Sequence, residues 1–223
     1  MATATIAVKG GASDDFPADF ALLRLSNHYT TQDRSEALAG ANALIAQVRE
    51  AAQQLGTGVR EVKVDFLRMI ETFNQVGLEH EAEPSGWGAH IAWDLAIEPD
   101  TVPVAVAELT SIGVTIHRII WLLDPDNEVQ VRRAVRRLAV ADAKEAASDF
   151  ALALGGNLGS LITLADPGLL GPGTFQNGAS SAMRARNATS AMSSSGWLDS
   201  IDVDPELVTI SANVEASYEV TFD

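Results

Sequence analysis

From Val208 to Phe222 every second residue is apolar or small: Val208, Ile210, Ala212, Val214, Ala216, Tyr218, Val220 and Phe222. The residues between them are Thr209, Ser211, Asn213, Glu215, Ser217, Glu219 and Thr221. Side chains of a strand alternate between the two faces of its sheet, so this pattern specifies one long strand with one buried face. At ~3.3 Å per residue it reaches roughly 50 Å. A compact chain of this length has a radius of gyration of roughly 17 Å. The terminal strand therefore spans the molecule or projects from it, and it joins parts that are distant in sequence.

The remaining periodicities place the other elements. Residues 4–9 alternate and read as a short strand ended by Gly10-Gly11, and residues 18–30 read as a second, with apolar side chains on both faces. Asp33 and Glu36 have capping-box spacing. Behind them Leu38, Ala41, Ile45, Val48, Ala52 and Leu55 form a helical stripe, which predicts a helix over 34–55 stopped at Gly56. A strand over 59–73 changes facing near 66–67, the mark of a bulge. Residues 74–86 read as a loop. A clear strand follows over 87–97, then a short helix from Pro99 to Ile112, a largely buried strand over 114–123 and a helix from Pro125 to about Leu154. Another strand covers 157–165. Residues 166–205 hold five Gly, seven Ser and three Pro with no sustained period. They read as a long loop that binds something or stays mobile. The order ββαββαβαββ lacks strict βαβ alternation. It predicts an α+β fold of mixed, mostly antiparallel sheets packed against two long helices and one short helix.

Several function classes fall to composition. Thirty acidic residues against fifteen basic ones give a net charge of −15, which excludes a generic binder of nucleic-acid phosphates. No cysteine is present, so disulfides, thiolate metal centres and cysteine nucleophiles are excluded. No apolar run approaches the length of a membrane helix. The start Met-Ala-Thr-Ala-Thr shows no basic segment followed by an apolar one, so a cytoplasmic location is expected.

Each candidate chemistry has a plainer reading. Glu79, His80, Glu81 and Glu83, with His90 nearby, are donor types suited to a divalent cation, but adjacent residues rarely converge on one ion, and a solvated acidic loop accounts for them. His90 falls on the polar parity of its strand and reads as a surface or interface histidine. Asp124, Asp126 and Glu128 begin like a calcium loop, but Pro125 and the missing glycine argue for helix capping. Asp199, Asp202, Asp204 and Glu206 read as a solvated run. The stretch Gly155–Ser160 follows a helix and precedes a strand, the reverse of a phosphate-binding turn. No nucleophile elbow occurs among the serines of 180–200. No catalytic, cofactor or metal residue is therefore assigned. Arg132, Arg133, Arg136 and Arg137 are the basic cluster and share one helix face. From Met69 to His117 there are eight acidic residues and no Lys or Arg, and after Arg186 seven acidic residues and no basic ones. Such segregated charge suits head-to-tail association. The candidate oligomer interface comprises Arg132, Arg133, Arg136, Arg137, Trp197 and Tyr218.

Four stretches together resemble the SIMPL-domain family, which includes bacterial periplasmic immunogenic proteins and stress-associated proteins of unknown biochemistry. They are Ile6–Gly10 with Pro17-Ala18-Asp19; Ala37–Leu55 with Gly56 and Val59–Val64; Ala139–Ala147 with Ala153-Leu154-Gly155; and Pro205–Ala212 with Val214 and Tyr218. Met183–Met192 sits where the family has a variable loop. The resemblance covers nearly the whole chain. It implies a single domain over 1–223, with two intertwined subdomains (1–86 with 156–223, and 87–155) as the alternative. It also implies ring- or channel-like homo-oligomers, a loose link to oxidative stress and no known catalytic residues. The expected function is a non-enzymatic, self-associating scaffold without cofactor. The alternative is a small-molecule or peptide-binding module that uses 166–205 as a lid.

Overall fold

In the computed structural model the chain forms seven strands and three α-helices among the described residues, which are 2–74, 83–169 and 203–222. They are β1 (Ala2–Pro17), β2 (Phe20–Thr31), α1 (Arg34–Gln54), β3 (Val59–Asn74), β4 (Glu83–Ile97), α2 (Val102–Ser111), β5 (Thr115–Leu122), α3 (Pro125–Ala153), β6 (Asn157–Ala165) and β7 (Leu207–Phe222). The fold is mixed α+β with two antiparallel sheets, as the pattern of periods requires. Of the expected loop over 166–205, residues 170–202 lie outside the described part.

Three local expectations need correction. β1 does not end at Gly10-Gly11 but runs on to Pro17. Gly10 is buried within it, because α3 crosses the sheet there at backbone distance. β4 begins at Glu83 rather than at 87. The register of β3 against β4 shifts between Val64 and Phe66, one residue before the expected bulge.

The chain divides into two units. One gathers Met1–Phe16, Asp124–Ala188 and Leu207–Asp223; the other gathers Pro17–Leu123 and Thr189–Glu206. These boundaries differ from 1–86 with 156–223 against 87–155. β4 pairs with both β2 and β3, which keeps residues 87–97 with the strands before them.

The first unit is a sheet of order β1-β7-β6 covered by α3. The long terminal strand is thus the central one. Val214, Ala216, Tyr218 and Val220 are buried, as the alternation demands. The opposite parity is less solvated than its polarity suggests, since Glu215 and Ser217 are also buried. Glu215 is compensated by Lys9 Nζ at 3.6 Å and by the Gly168 N–H at 3.4 Å. The helix meets this sheet through Val131, Val135, Ala139, Ala143, Ala147 and Ala151, a stripe at every fourth residue. Alanine there has no side chain beyond Cβ, so the helix axis comes close to the strands. Leu138 does not join the stripe and is half exposed. Asp124 sits at the N-cap with Pro125 in the first turn, and its carbonyl accepts from the Glu128 N–H at 2.7 Å. Gly155, with φ +74°, closes the helix.

The second unit is a sheet of order β3-β4-β2-β5 with α1 and α2 on one face. Leu23, Leu25, Ile91, Trp93 and Leu95 point into that core and are almost wholly buried. Ala37, Ala41, Val48 and Ala52 of α1 meet them, so the buried stripe is centred one residue from Leu38. Asp33 caps α1: its carboxylate accepts from the Ser35 N–H at 2.7 Å and the Glu36 N–H at 3.1 Å. The Ser35 hydroxyl, then these backbone donors, hold the Asp33 carboxyl below its usual range. A group with a depressed native pKa stabilises the fold above its unfolded pKa and loses that contribution as pH falls through the native value. Asp33→Ala is therefore expected to lower the melting temperature at pH 7, and the gap from the parent should narrow as the pH falls below the ordinary aspartate range. Asp33→Asn, itself a good cap, should lose less at pH 7. A gap that persists unchanged in acid would assign the loss to something other than the ionised cap.

Candidate functional site

The face of the four-stranded sheet away from α1 and α2 carries the polar parity of β2 and β4. Direct cross-strand partners there are Arg24 with Asp94, Ser26 with Ala92, His28 with His90, and Thr30 with Gly88. On the other side of β4, Lys63 faces Asp94, Phe66 faces Ala92 and Arg68 faces His90. Opposed residues of an antiparallel pair share a face, so these side chains form one surface. β5 adds a bulge: Arg24 pairs with Arg118 and Leu25 with Ile116, which leaves His117 as the extra residue. Its Nε2 hydrogen-bonds the Ser26 Oγ.

Below the bulge lies a shallow cavity of about 360 Å³. Its polar lining comes from Arg24, Ser26, Asp65, Asp94 and His117. Arg24 and Asp94 approach to 3.8 Å, with both side chains solvated, so the pair orders the surface more than it stabilises the fold. Ser26 and His117 have the chemistry of a nucleophile and its base, but a working base needs a third group to orient it. Among the described residues no carboxylate hydrogen-bonds His117, so the arrangement is a cross-strand polar contact.

Farther along the same face the rings of His28 and His90 lie 4.0 Å apart, centroid to centroid, at 51°. His28 Nε2 is 2.8 Å from the Thr30 Oγ1. Partial burial, then the neighbouring His90, pushes the His28 pKa down. His90 is exposed, as its parity predicts. Glu79, His80 and Glu81 lie outside the described residues, so the grouping of His90 with that acidic run is untested. Among the described residues no group of three or more His, Asp or Glu is placed to hold a metal ion. Sequence reasoning missed His28 as the partner of His90. Parity placed His90 on a polar face, whereas the strand over 18–30 read as apolar on both faces and gave His28 no side; β2 and β4 are also separated in the chain by α1 and β3, so their register is not written locally.

The expected interface residues separate into three groups. Arg133, Arg136 and Arg137 are exposed on α3 and make no ion pair among the described residues. Arg132 is partly buried and bonds Glu128 one turn earlier, its Nε to Oε1 at 2.8 Å. Tyr218 is 6% exposed and packs with Val8, Ala139 and Ala143. It is a core residue of the single chain, so the expectation that it meets a partner is corrected: its place on the buried parity of the central strand takes it out of reach. Trp197 lies outside the described residues. Asp204 and Glu206 are exposed, as expected. No helix of the described residues is long and apolar enough to cross a membrane.

Comparison with known proteins leads to one family. No curated protein matches the chain. The family model SIMPL, described as a protein of unknown function (DUF541), matches residues 6–218. That span runs from the first strand to the buried Tyr218 of the last, and takes in both sheets and all three helices. The chain therefore belongs to the SIMPL family.

Proposed function

We propose that the chain is a non-enzymatic, self-associating scaffold of the SIMPL type, cytoplasmic and loosely linked to the stress response. The observation that carries this reading is the edge of the three-stranded sheet. β6 is an edge strand whose sequence, Asn157–Ala165, contains no charged residue and no proline, and Leu161, Ile162 and Leu164 are about half exposed along it. Soluble proteins ordinarily protect such edges with charge, proline or a bulge; β6 has neither charge nor proline, and its protection is confined to register shifts against β7 between Leu158 and Leu161 and between Leu161 and Thr163. The end of α3 in the same unit exposes Phe150, Leu152 and Leu154. Apolar surface of this extent on one unit marks a contact site. At a net charge of −15, two copies repel except where uncharged or basic surface is presented, and β6 and the arginines of α3 are such surfaces. A heterologous contact between the arginine face and an acidic segment closes into a ring or channel when its rotation permits.

The test is the mass of the untagged protein in solution. Assembly is expected in the parent. Arg133→Glu with Arg136→Glu should shift it to smaller species while the circular dichroism stays unchanged, because neither residue touches the core. Ile162→Lys, which adds the missing edge charge, should do the same. A monomeric parent at micromolar concentration would overturn the scaffold reading. An assembly indifferent to the arginine pair but broken by Ile162→Lys would reduce α3 to a solvated face.

The cavity beneath His117 favours the second reading, a small-molecule binding module. A polar ligand engaging Arg24 and Asp94 would raise the melting temperature in proportion to ln(1 + [L]/Kd).

A further inference from the structure

We propose that His28 and His90 form a two-imidazole site for a divalent first-row transition ion of the imidazole-preferring class, Cu2+, Ni2+ or Zn2+. The inference goes beyond the scaffold reading and does not depend on it. The two residues stand directly opposite in the register of β2 and β4 and so project from the same face. Their rings are 4.0 Å apart and tilted by 51° rather than stacked flat. Two imidazole nitrogens bound to one ion at ~2.0–2.1 Å each lie roughly 3 Å apart. Each nitrogen stands about an ångström in front of its ring centroid, so two rings sharing one ion have centroids roughly 4.5–5 Å apart, and these exposed side chains admit the ion by opening by up to about an ångström. Both histidines are exposed, so an aqueous ion reaches them.

The surroundings orient the pair. The Thr30 Oγ1 lies 2.8 Å from His28 Nε2; in the tautomer whose Nε2–H donates to it, Nδ1 keeps its lone pair, and an outer partner of this kind is a regular feature of metal-bound histidine. Gly88 seats the ring, because a Cβ there would lie 2.7 Å from His28 Cε1. The charged groups on this face are Arg68, opposite His90, with Lys63, Asp65, Arg24, Asp94 and Arg118 farther along. The Arg68 guanidinium is drawn over the Phe66 ring, 5.7 Å from its centroid. Only two protein ligands are supplied, so water completes the coordination and the ion is exchangeable rather than structural. Imidazole donors without carboxylate or thiolate select this class over Mg2+ and Ca2+.

Isothermal titration of the full, untagged chain with Ni2+ tests the site. One ion per chain is expected. His28→Gln and His90→Gln should each weaken it at least tenfold, and the double variant should lose little more than either single one, since each leaves a lone ligand. His117→Gln and His80→Gln should bind as the parent does. Gly88→Ala, which displaces the His28 ring without removing a donor, should weaken binding too. Circular dichroism of each variant checks that the fold is kept, and Ni2+ should raise the melting temperature of the parent more than that of His28→Gln. The proposal is overturned by a parent that takes up no Ni2+ at millimolar concentration, by His28→Gln binding as the parent does, or by loss of binding in His80→Gln instead.

Discussion

Replacing Gly10 with valine is expected to unfold the three-stranded unit. A Cβ at this position would lie 2.1 Å from the Ala139 carbonyl oxygen, 2.5 Å from the Ala143 nitrogen and 2.7 Å from the Ala143 Cβ. Two of these atoms are helix backbone and cannot rotate away, so α3 itself has to lift from the sheet. Overpacking of a tight core costs ~1–3 kcal/mol and at times more. A backbone clash on this scale puts Gly10→Val at or above ~3 kcal/mol, and Gly10→Ala within the range. Elsewhere in a strand the change from glycine to a β-branched residue is favourable, so the sign of the effect is itself diagnostic. Gly11→Ala is the control. Its Cβ meets only the Asn213 Oδ1 at 3.1 Å, the movable end of a side chain. Thermal melts of the three variants settle the matter. If Gly10→Val melted with the parent, α3 would not pack on β1 as closely as described.

Truncation after Glu206 is expected to give insoluble or largely unfolded protein. The deletion removes the middle strand of the β1-β7-β6 sheet, so β1 and β6 lose their shared partner at once. It also removes Val214, Ala216, Tyr218 and Val220 from beneath α3. Loss of a large buried aromatic alone costs ~3–5 kcal/mol against a total stability of ~5–15 kcal/mol. The measurement is soluble yield followed by chemical denaturation. A soluble product that unfolds in one cooperative transition with the parent's slope would show that β7 is an appendage.

The parts of this fold legible in the sequence are those whose signal is local. The alternation over 207–222 and the stripe behind Asp33 each repeat a period over many residues, the long helix is bracketed by Pro125 and Gly155, and each element stands where these signals place it. Gly10 defeated local reading because a glycine pair is both a strand terminator and the only residue type that lets a helix backbone touch a strand. The second role depends on α3, more than a hundred residues away. The side of α3 that packs was not legible for a related reason: the helix rests on the sheet along an alanine stripe that leaves Leu138 out, and alanine carries too little hydrophobicity to announce a buried face. Tyr218 looked like an anchor for a partner because the sequence shows that a strand has a buried face without showing whose surface covers it. The His28–His90 pair was half legible. The face of His90 followed from parity; that of His28 did not, and their meeting is a matter of register between strands that are not neighbours in sequence.

The three-stranded unit is sewn from the first residues, a middle segment and the last residues, with the last strand in the centre. During synthesis β1 emerges and then waits for about 190 further residues before its neighbour β7 begins, Pro17 to Leu207. At ~5–20 residues per second that wait is roughly 10–40 s, long compared with the microseconds in which a hairpin closes. The strands and helices of residues 17–123 are complete well before then. For that interval a sixteen-residue strand stands unpaired, and the alternating apolar residues of β1 are what a holding chaperone would meet on the nascent chain.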